Sequence, residues 1–151
     1  MKKKILFIED NSIKANSIIT MLKNNYDCEI VWKESFRSGI KEAIYSTYDL
    51  LLLDMSLTNW ERHHNFTNNF ERFGGITILR EMKRKGISNP TIVITMFSEF
   101  GVGESFVDLK NLDEMLIKDF PKIYKGYIKY ISNEKKWESE LMKIIDSIWK
   151  S

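Results

Sequence analysis

The stretch Leu50-Leu51-Leu52-Leu53-Asp54 predicts the fold of this chain. Four consecutive large aliphatic side chains leave a strand with no polar face, as is typical of a central parallel strand covered by helices on both sides. A buried helix would normally continue further before its first charged residue. We therefore interpret Leu50–Leu53 as a central strand with Asp54 at its carboxyl end.

Strand-like and helix-like segments alternate outward from this strand in both directions. The other predicted strands are 4–8, 28–32, 91–95 and 126–129, and the predicted helices are 12–24, 36–45, 75–85, 109–119 and 137–149. This alternation is the pattern of a doubly wound α/β fold, in which right-handed crossovers place helices on both faces. We predict one domain spanning 1–151, built on a five-stranded parallel sheet.

The first helix is predicted from a capping residue followed by an apolar face. Ser12 has the side chain of a helix N-cap. The apolar residues expected on the inner face of this helix are Ile13, Ile18, Met21 and Leu22.

Composition narrows the functional classes. Hydrophobic residues make up 43% and charged residues 29% of the chain, as in ordinary soluble domains. The net charge of +2 does not favour a nucleic-acid or membrane partner. The apolar run after Lys4 is too short for a secretory signal, and no run reaches the roughly 20 residues of a membrane span. The single cysteine, Cys28, on a predicted buried strand, favours a reduced, cytoplasmic setting.

Three acidic residues follow two of the predicted strands. Glu9 and Asp10 end the first strand, and Asp54 ends the third. In the flavodoxin-like strand order 2-1-3-4-5 these strands are neighbours, and the crevice at their carboxyl ends is the usual site position. Three converging carboxylates repel one another unless a cation is bound, and hard oxygen ligands suit Mg²⁺. The sequence therefore predicts a Mg²⁺ site.

The stretches KKILFIEDN, YDLLLLDM and PTIVITM resemble the first, third and fourth strand signatures of response-regulator receiver domains. The resemblance implies that Asp54 is the phospho-accepting carboxylate. It also implies that Glu9, Asp10, Asp54 and the backbone carbonyl of Ser56 hold Mg²⁺, although many receivers carry Asp at the position of Glu9. Thr95 falls where a hydroxyl contacts a phosphoryl oxygen.

The fifth strand departs from the receiver pattern. Lys129 in GYIKYIS matches the lysine that pairs with the phosphoryl group, but Tyr130 stands where receivers have proline. The aromatic switch residue of receivers usually lies three positions before that lysine, where this chain has Gly126; Tyr127 is two positions before it. Because side chains alternate along a strand, simple spacing matches either Lys129 or Tyr127 to the pattern, but not both.

Two long segments, 56–73 and 96–108, follow the third and fourth strands. Loops longer than about 12–15 residues are usually functional or disordered. The first contains Trp60, adjacent histidines and several phenylalanines, which either pack down as a lid or form a partner surface. The second contains FSEFGVGES, which we expect to be mobile. The chain ends after the last helix, so we expect no output domain.

We weigh three functions. The first is a stand-alone receiver in a two-component system or phosphorelay, which a sensor histidine kinase or phosphotransfer protein phosphorylates and which signals to a downstream protein. The second is a phosphorylation-independent receiver-like interaction module. The third, a phosphatase-like enzyme, is disfavoured because such enzymes need an Asp-x-Asp, and the residue two beyond Asp54 is Ser56. Oligomeric state, a homodimer included, is left open.

Overall fold

The computed structural model describes residues 2–55, 74–96, 99–100 and 107–150. Its strands are β1 (Lys3–Ile8), β2 (Cys28–Lys33), β3 (Leu50–Leu53), β4 (Thr91–Thr95), β5 (Glu99–Phe100), β6 (Val107–Asp108) and β7 (Tyr124–Lys129). Its helices are α1 (Ser12–Asn25), α2 (Phe36–Tyr45), α3 (Gly74–Arg84), α4 (Leu109–Asp119) and α5 (Lys136–Trp149). None of the described helices is both long and apolar enough to cross a membrane.

The main sheet has five parallel strands in the order β2-β1-β3-β4-β7. The predicted flavodoxin-like order is therefore confirmed, with β7 as its fifth strand. The leucine strand β3 lies at the centre, and all four of its side chains are buried. Alternate leucines point to opposite faces, so this one strand contributes to both apolar layers.

The two layers of the core lie on opposite faces of the sheet. Leu51 and Leu53 pack with buried residues of α2, α3 and α4. Leu50 and Leu52 pack with buried residues of α1 and α5. Cys28 lies in the second layer, and burial raises the pKa of its thiol. Helices cover both faces, as the unbroken apolar run of β3 predicts.

A bulge at the start of β7 changes which side chains share a face. Tyr124 is opposite Thr91, whereas Gly126 is opposite Ile92, so Lys125 is the extra residue. Gly126 has a φ of 138°, a backbone conformation that side chains disfavour. The strand is two residues longer at its start than predicted, because 126–129 covers only the part that follows the bulge.

Two details of α1 differ from the sequence prediction. The N-cap is Asn11, whose side chain accepts a hydrogen bond from the N–H of Lys14, and not Ser12, which is the first helical residue. Ile13 was expected on the inner face but is 78% exposed. The buried residue in the first turn is Lys14. The inner face of α1 therefore begins with a charged side chain.

The predicted segment 96–108 contains two short strands, β5 and β6, which pair antiparallel. Glu99 lies opposite Asp108, and Phe100 lies opposite Val107. Asp108 also caps α4 by accepting a hydrogen bond from the N–H of Asn111. Asp108 therefore belongs both to β6 and to the N-terminal cap of α4.

Candidate functional site

The backbone places Glu9 beside Asp54 at the carboxyl edge of the sheet. The N–H of Asp54 donates to the carbonyl of Ile8 at 3.1 Å, and the N–H of Glu9 donates to the carbonyl of Lys33 at 3.0 Å. The ladder thus continues one residue past the ends of β1 and β3. The two carboxylates emerge side by side because their strands are neighbours in parallel register.

The three predicted acids form one cluster. One carboxylate oxygen from each of Glu9, Asp10 and Asp54 lies within 4.8 Å of the other two. Glu9 and Asp54 are buried, while Asp10 is exposed. The cluster therefore has a dry side formed by two carboxylates and a solvent-facing side formed by the third.

A buried lysine enters the same cluster from α1. The ammonium nitrogen of Lys14 lies 2.6 Å from Glu9 Oε1 and 3.8 Å from Asp54 Oδ1. It also donates a hydrogen bond to the carbonyl of Ile94 at 3.0 Å. The side chain of Lys14 is only 2% exposed. Its charge partly offsets the repulsion between the two buried carboxylates.

The pKa of Glu9 is raised although Lys14 lies beside it. Burial raises the pKa of Glu9 to about 8, and the negative charge of Asp54 acts in the same direction. The ammonium of Lys14 and the N–H of Asn11 lower this pKa but do not offset the rise. Glu9 therefore holds a proton more readily than an exposed glutamate does, and a cation bound beside it would favour its charged form.

Sequence reasoning missed Lys14, although a signal for it was present. Lys14 lies four residues before Ile18 and seven before Met21, so these side chains share one face of the helix. The sequence prediction began the inner face at Ile13, which is about 100° away around the helix. The sequence contained two signs of this role. Lys14 shares a helix face with buried apolar residues, and it closely follows a strand that ends in acids.

Thr95 lies at the end of β4, the strand next to β3 in the sheet. It is fully buried at the carboxyl end of β4, one residue after the carbonyl that binds Lys14. Its own carbonyl accepts a hydrogen bond from the N–H of Tyr130 at 2.8 Å. Proline, the usual residue of receivers at this position, has no N–H to donate. Tyr130 therefore extends the sheet ladder by one bond, and its ring packs against Trp137.

Lys129 and Tyr127 lie on the same face of β7. They stand opposite Thr95 and Val93, and the bulge places Tyr124 on this face as well. Both side chains line a groove of about 440 Å³ between α4 and α5, together with Leu109 and Trp137. Lys129 is exposed at the end of the strand. Its contact with a phosphoryl group, and the switch role of Tyr127, stay predictions.

Some predicted features lie outside the described residues. Ser56, whose carbonyl was assigned to the metal, is one of them, as is the aromatic part of 56–73. The start of α3 is described, and it lies close to Asp54 and Met55. A Cβ at Gly75 would lie 2.9 Å from Met55 Cα and 3.2 Å from the carbonyl oxygen of Asp54.

The donor chemistry of the cluster suits Mg²⁺. Carboxylate oxygens are hard ligands, and Mg²⁺ is commonly held by one or two carboxylates while it keeps several waters. Exposed Asp10 leaves the solvent side open for such waters. The oxygens of Glu9, Asp10 and Asp54 therefore fit a hydrated divalent ion.

The order of the strands gives this chain the fold of a receiver domain. Solved receiver domains have the same fold. The signal receiver domain of a putative LuxO repressor from Vibrio parahaemolyticus aligns with a TM-score of 0.68 at 16% identity, over 98% of this chain and 93% of that one. The receiver domain of the sensor histidine kinase PA1611 from Pseudomonas aeruginosa, solved with magnesium in its active-site cleft, aligns with a TM-score of 0.64 at 18% identity over the full length of both chains.

A sequence relative shows the family. The Detocs response regulatory protein DtcB of Enterobacter cloacae is 30% identical over 149 residues, which cover 96% of this chain and 99% of that protein. The response regulator ArlR of Staphylococcus saprophyticus is 29% identical over 76% of this chain and 50% of its own length. No family model matches the chain. The chain belongs to the response regulators of two-component systems, which are signalling modules.

Proposed function

We propose that this response regulator accepts a phosphoryl group on Asp54 in a Mg²⁺-dependent reaction. The observation that supports this most directly is the position of Asp54. It is a buried carboxylate at the end of the central strand, within 4.8 Å of the carboxylates of Glu9 and Asp10. The membership of the chain in the response regulators supports the assignment, as does the resemblance of YDLLLLDM to the third strand signature of receivers.

The proposed reaction needs little beyond positioning and charge neutralisation. One carboxylate oxygen of Asp54 attacks phosphorus in line, the P–O bond to Asp54 forms, and the bond from phosphorus to the donor's nitrogen or oxygen breaks. The electron pair leaves with the donor, which takes up a proton. Glu9, Asp10, Asp54 and the carbonyl of Ser56 would hold Mg²⁺, which would neutralise the charge of the phosphoryl oxygens. The hydroxyl of Thr95 orients a phosphoryl oxygen.

The partners follow from this chemistry. A sensor histidine kinase or a phosphotransfer protein supplies the phosphoryl group in the cytoplasm, and a downstream protein responds to the phosphorylated state. Lys129 and Tyr127 line the groove between α4 and α5, where an ammonium and an aromatic ring respond to the new charge at Asp54. Domain 1–151 acts as one unit in this scheme.

The test is phosphorylation with a small donor. We expect acetyl phosphate with Mg²⁺ to add one phosphoryl group to the intact protein, measured by mass spectrometry, and hydroxylamine to remove it, as it does from acyl phosphates. Asp54→Asn should abolish the adduct. Asp27→Asn, which changes an exposed aspartate at the opposite edge of the sheet, is the matched control and should be labelled normally. An adduct that persists in Asp54→Asn contradicts the assignment.

The ion pairs of Lys14 favour a second function, that of an interaction module that does not use phosphorylation. An ammonium already held by Glu9 and Asp54 is consistent with a receiver-like module that binds its partner without phosphorylation. In that case Asp54→Ala should leave the affinity for a co-purified partner unchanged. A loss of partner affinity in Asp54→Ala, together with labelling of the wild type, favours the phospho-acceptor.

A further inference from the structure

Lys14 has an environment that neither the sequence comparison nor the proposed phosphorylation explains. Its ammonium contacts Glu9, Asp54 and the carbonyl of Ile94, and its side chain is almost fully buried. A lysine is rarely buried to this extent unless it is paired. The three oxygen contacts provide that pairing.

We propose that the ammonium of Lys14 is a tethered cation that occupies the acid cluster before Mg²⁺ binds and thereby sets the affinity for Mg²⁺. This inference rests on the proposed Mg²⁺ site. It assigns to Lys14 the role of a positioning residue, since it acts on the metal through the carboxylates of Glu9 and Asp54.

The distances make the two cations competitors. Mg²⁺ requires its ligands at about 2.0–2.1 Å in near-octahedral geometry. Glu9 Oε1 is already 2.6 Å from the ammonium, so this oxygen cannot be directed fully at a second cation. Two cations that share a cluster whose oxygens lie within 4.8 Å of one another also repel strongly, because the site is largely shielded from solvent. Binding of Mg²⁺ therefore requires the ammonium to withdraw or to weaken its contacts.

The backbone anchors Lys14 while its side chain can move. Its N–H is fixed by the cap of Asn11 in the first turn of α1. The charged group is at the end of a flexible four-carbon stem, so it can leave the acids without a shift of the helix. Exposed Asp10 lies on the solvent side of the same cluster. The apo protein consequently keeps its buried acids paired, and Mg²⁺ binds at the cost of breaking that pairing.

The experiment compares Mg²⁺ binding in Lys14→Met and wild type, with no phosphodonor present. Methionine retains most of the apolar stem and removes the charge. Binding is followed by calorimetry and by tryptophan emission, because the Trp32 indole N–H donates to the carbonyl of Glu9 at 2.9 Å. We expect Lys14→Met to bind Mg²⁺ at least tenfold more tightly. Lys41→Met, which removes an exposed lysine of α2, should match the wild type.

A second measurement on the wild type does not depend on the variant folding. Lysines are labelled with an amine-reactive ester and quantified by peptide mass spectrometry with and without saturating Mg²⁺. We expect Lys14 to be protected without metal and to react several-fold faster with Mg²⁺, while Lys41 reacts equally in both. Unchanged protection of Lys14 at saturating Mg²⁺ overturns the proposal.

The binding result has equally definite outcomes. Equal, weaker or absent Mg²⁺ binding by folded Lys14→Met overturns the proposal. Tighter binding by Lys14→Met supports it, even where acetyl phosphate fails to label Asp54. If Asp54 is labelled but Lys14→Met leaves Mg²⁺ affinity unchanged, the proposed phospho-acceptor function stands and only the role of Lys14 is refuted.

Discussion

Asn11 links the first helix to the acid cluster through two hydrogen bonds. Its side-chain oxygen accepts from the N–H of Lys14 at 3.0 Å, and its own N–H donates to Glu9 Oε2 at 3.1 Å. The first bond caps α1 and fixes the backbone of Lys14. The second bond orients the carboxylate of Glu9. One residue thus positions both the buried acid and the buried lysine.

We predict that Asn11→Ala lowers the free energy of unfolding by about 0.5–2 kcal/mol, because the first turn of α1 loses its side-chain cap. Urea denaturation measures the change as a shift in midpoint at constant slope. Asn11→Ser is the matched control, since serine keeps an oxygen that can cap the helix and should recover most of the loss. Equal destabilisation by alanine and serine would show that the cap is not the cause.

The acids of the site could be predicted from the sequence, while the lysine between them was missed. Glu9 and Asp54 directly follow apolar strands, and strand ends in a parallel sheet have a fixed location. Whether Lys14 points toward the acids depends instead on which face of α1 is buried. The capping residue was placed one position late, and Ile13 was expected inside. An error of one residue in helical phase is about 100°, which is enough to exchange an exposed side chain for a buried one.

At the scale of elements, α3 packs against Asp54 and Met55 through a glycine, Gly75. A Cβ at Gly75 would lie 2.9 Å from Met55 Cα, a contact with backbone that cannot be relieved by a side-chain rotation. Met55 Sδ would also lie at 2.9 Å and the carbonyl oxygen of Asp54 at 3.2 Å. The backbone position of Asp54 and Met55 is therefore coupled to the start of α3.

We predict that Gly75→Ala lowers the free energy of unfolding by about 1–3 kcal/mol through overpacking and also weakens Mg²⁺ binding by displacing Asp54. Gly86→Ala is the matched control. Gly86 has a φ of 74° and open space around its Cβ position, so alanine there should cost about 1–2 kcal/mol without altering Mg²⁺ affinity. Calorimetric Mg²⁺ titration and urea denaturation of both variants separate the two effects. Unaltered Mg²⁺ affinity in Gly75→Ala would contradict the coupling.

The fifth sheet strand illustrates an element that spacing alone does not place. Counting back from Lys129 in steps of one residue made Lys129 and Tyr127 alternatives. In the structure both residues follow the bulge and, two positions apart, share one face, while the bulge at Lys125 changes the face of Tyr124 before it. A glycine at position 126 was the sign in the sequence that the strand could be irregular, and the structure gives it a φ of 138°.

At the scale of the whole molecule, the sequence predicted the sheet because each strand has a simple pattern. The apolar run of β3 required cover on both faces, and alternation with helices required parallel strands. Strand order and helix count followed and are confirmed. The pair β5–β6 was not predicted, since two-residue strands carry no periodic signal.

A tyrosine that follows the first helix contacts the last helix. The hydroxyl of Tyr26, just after α1, donates to Asp146 Oδ1 of α5 at 2.9 Å. Its ring meets Trp149 edge-on with centroids 5.4 Å apart. Burial, and next the carboxylate of Asp146, raise the pKa of Tyr26 above its usual value. Residues 120 positions apart in the chain are joined by this contact.

We predict that Tyr26→Phe lowers the free energy of unfolding by about 1 kcal/mol at neutral pH, because the ring remains and the hydrogen bond is lost. The difference should depend on pH with a definite sign. The unfolded tyrosine ionises near pH 10, whereas the folded one holds its proton to higher pH. The stabilisation is therefore complete below about pH 10 and is lost as pH rises above that value. Urea denaturation of both proteins from about pH 8 to about pH 11 should show the two curves converging. A difference that stays constant across this range would mean that the hydroxyl contributes through packing alone and that its proton is not linked to folding.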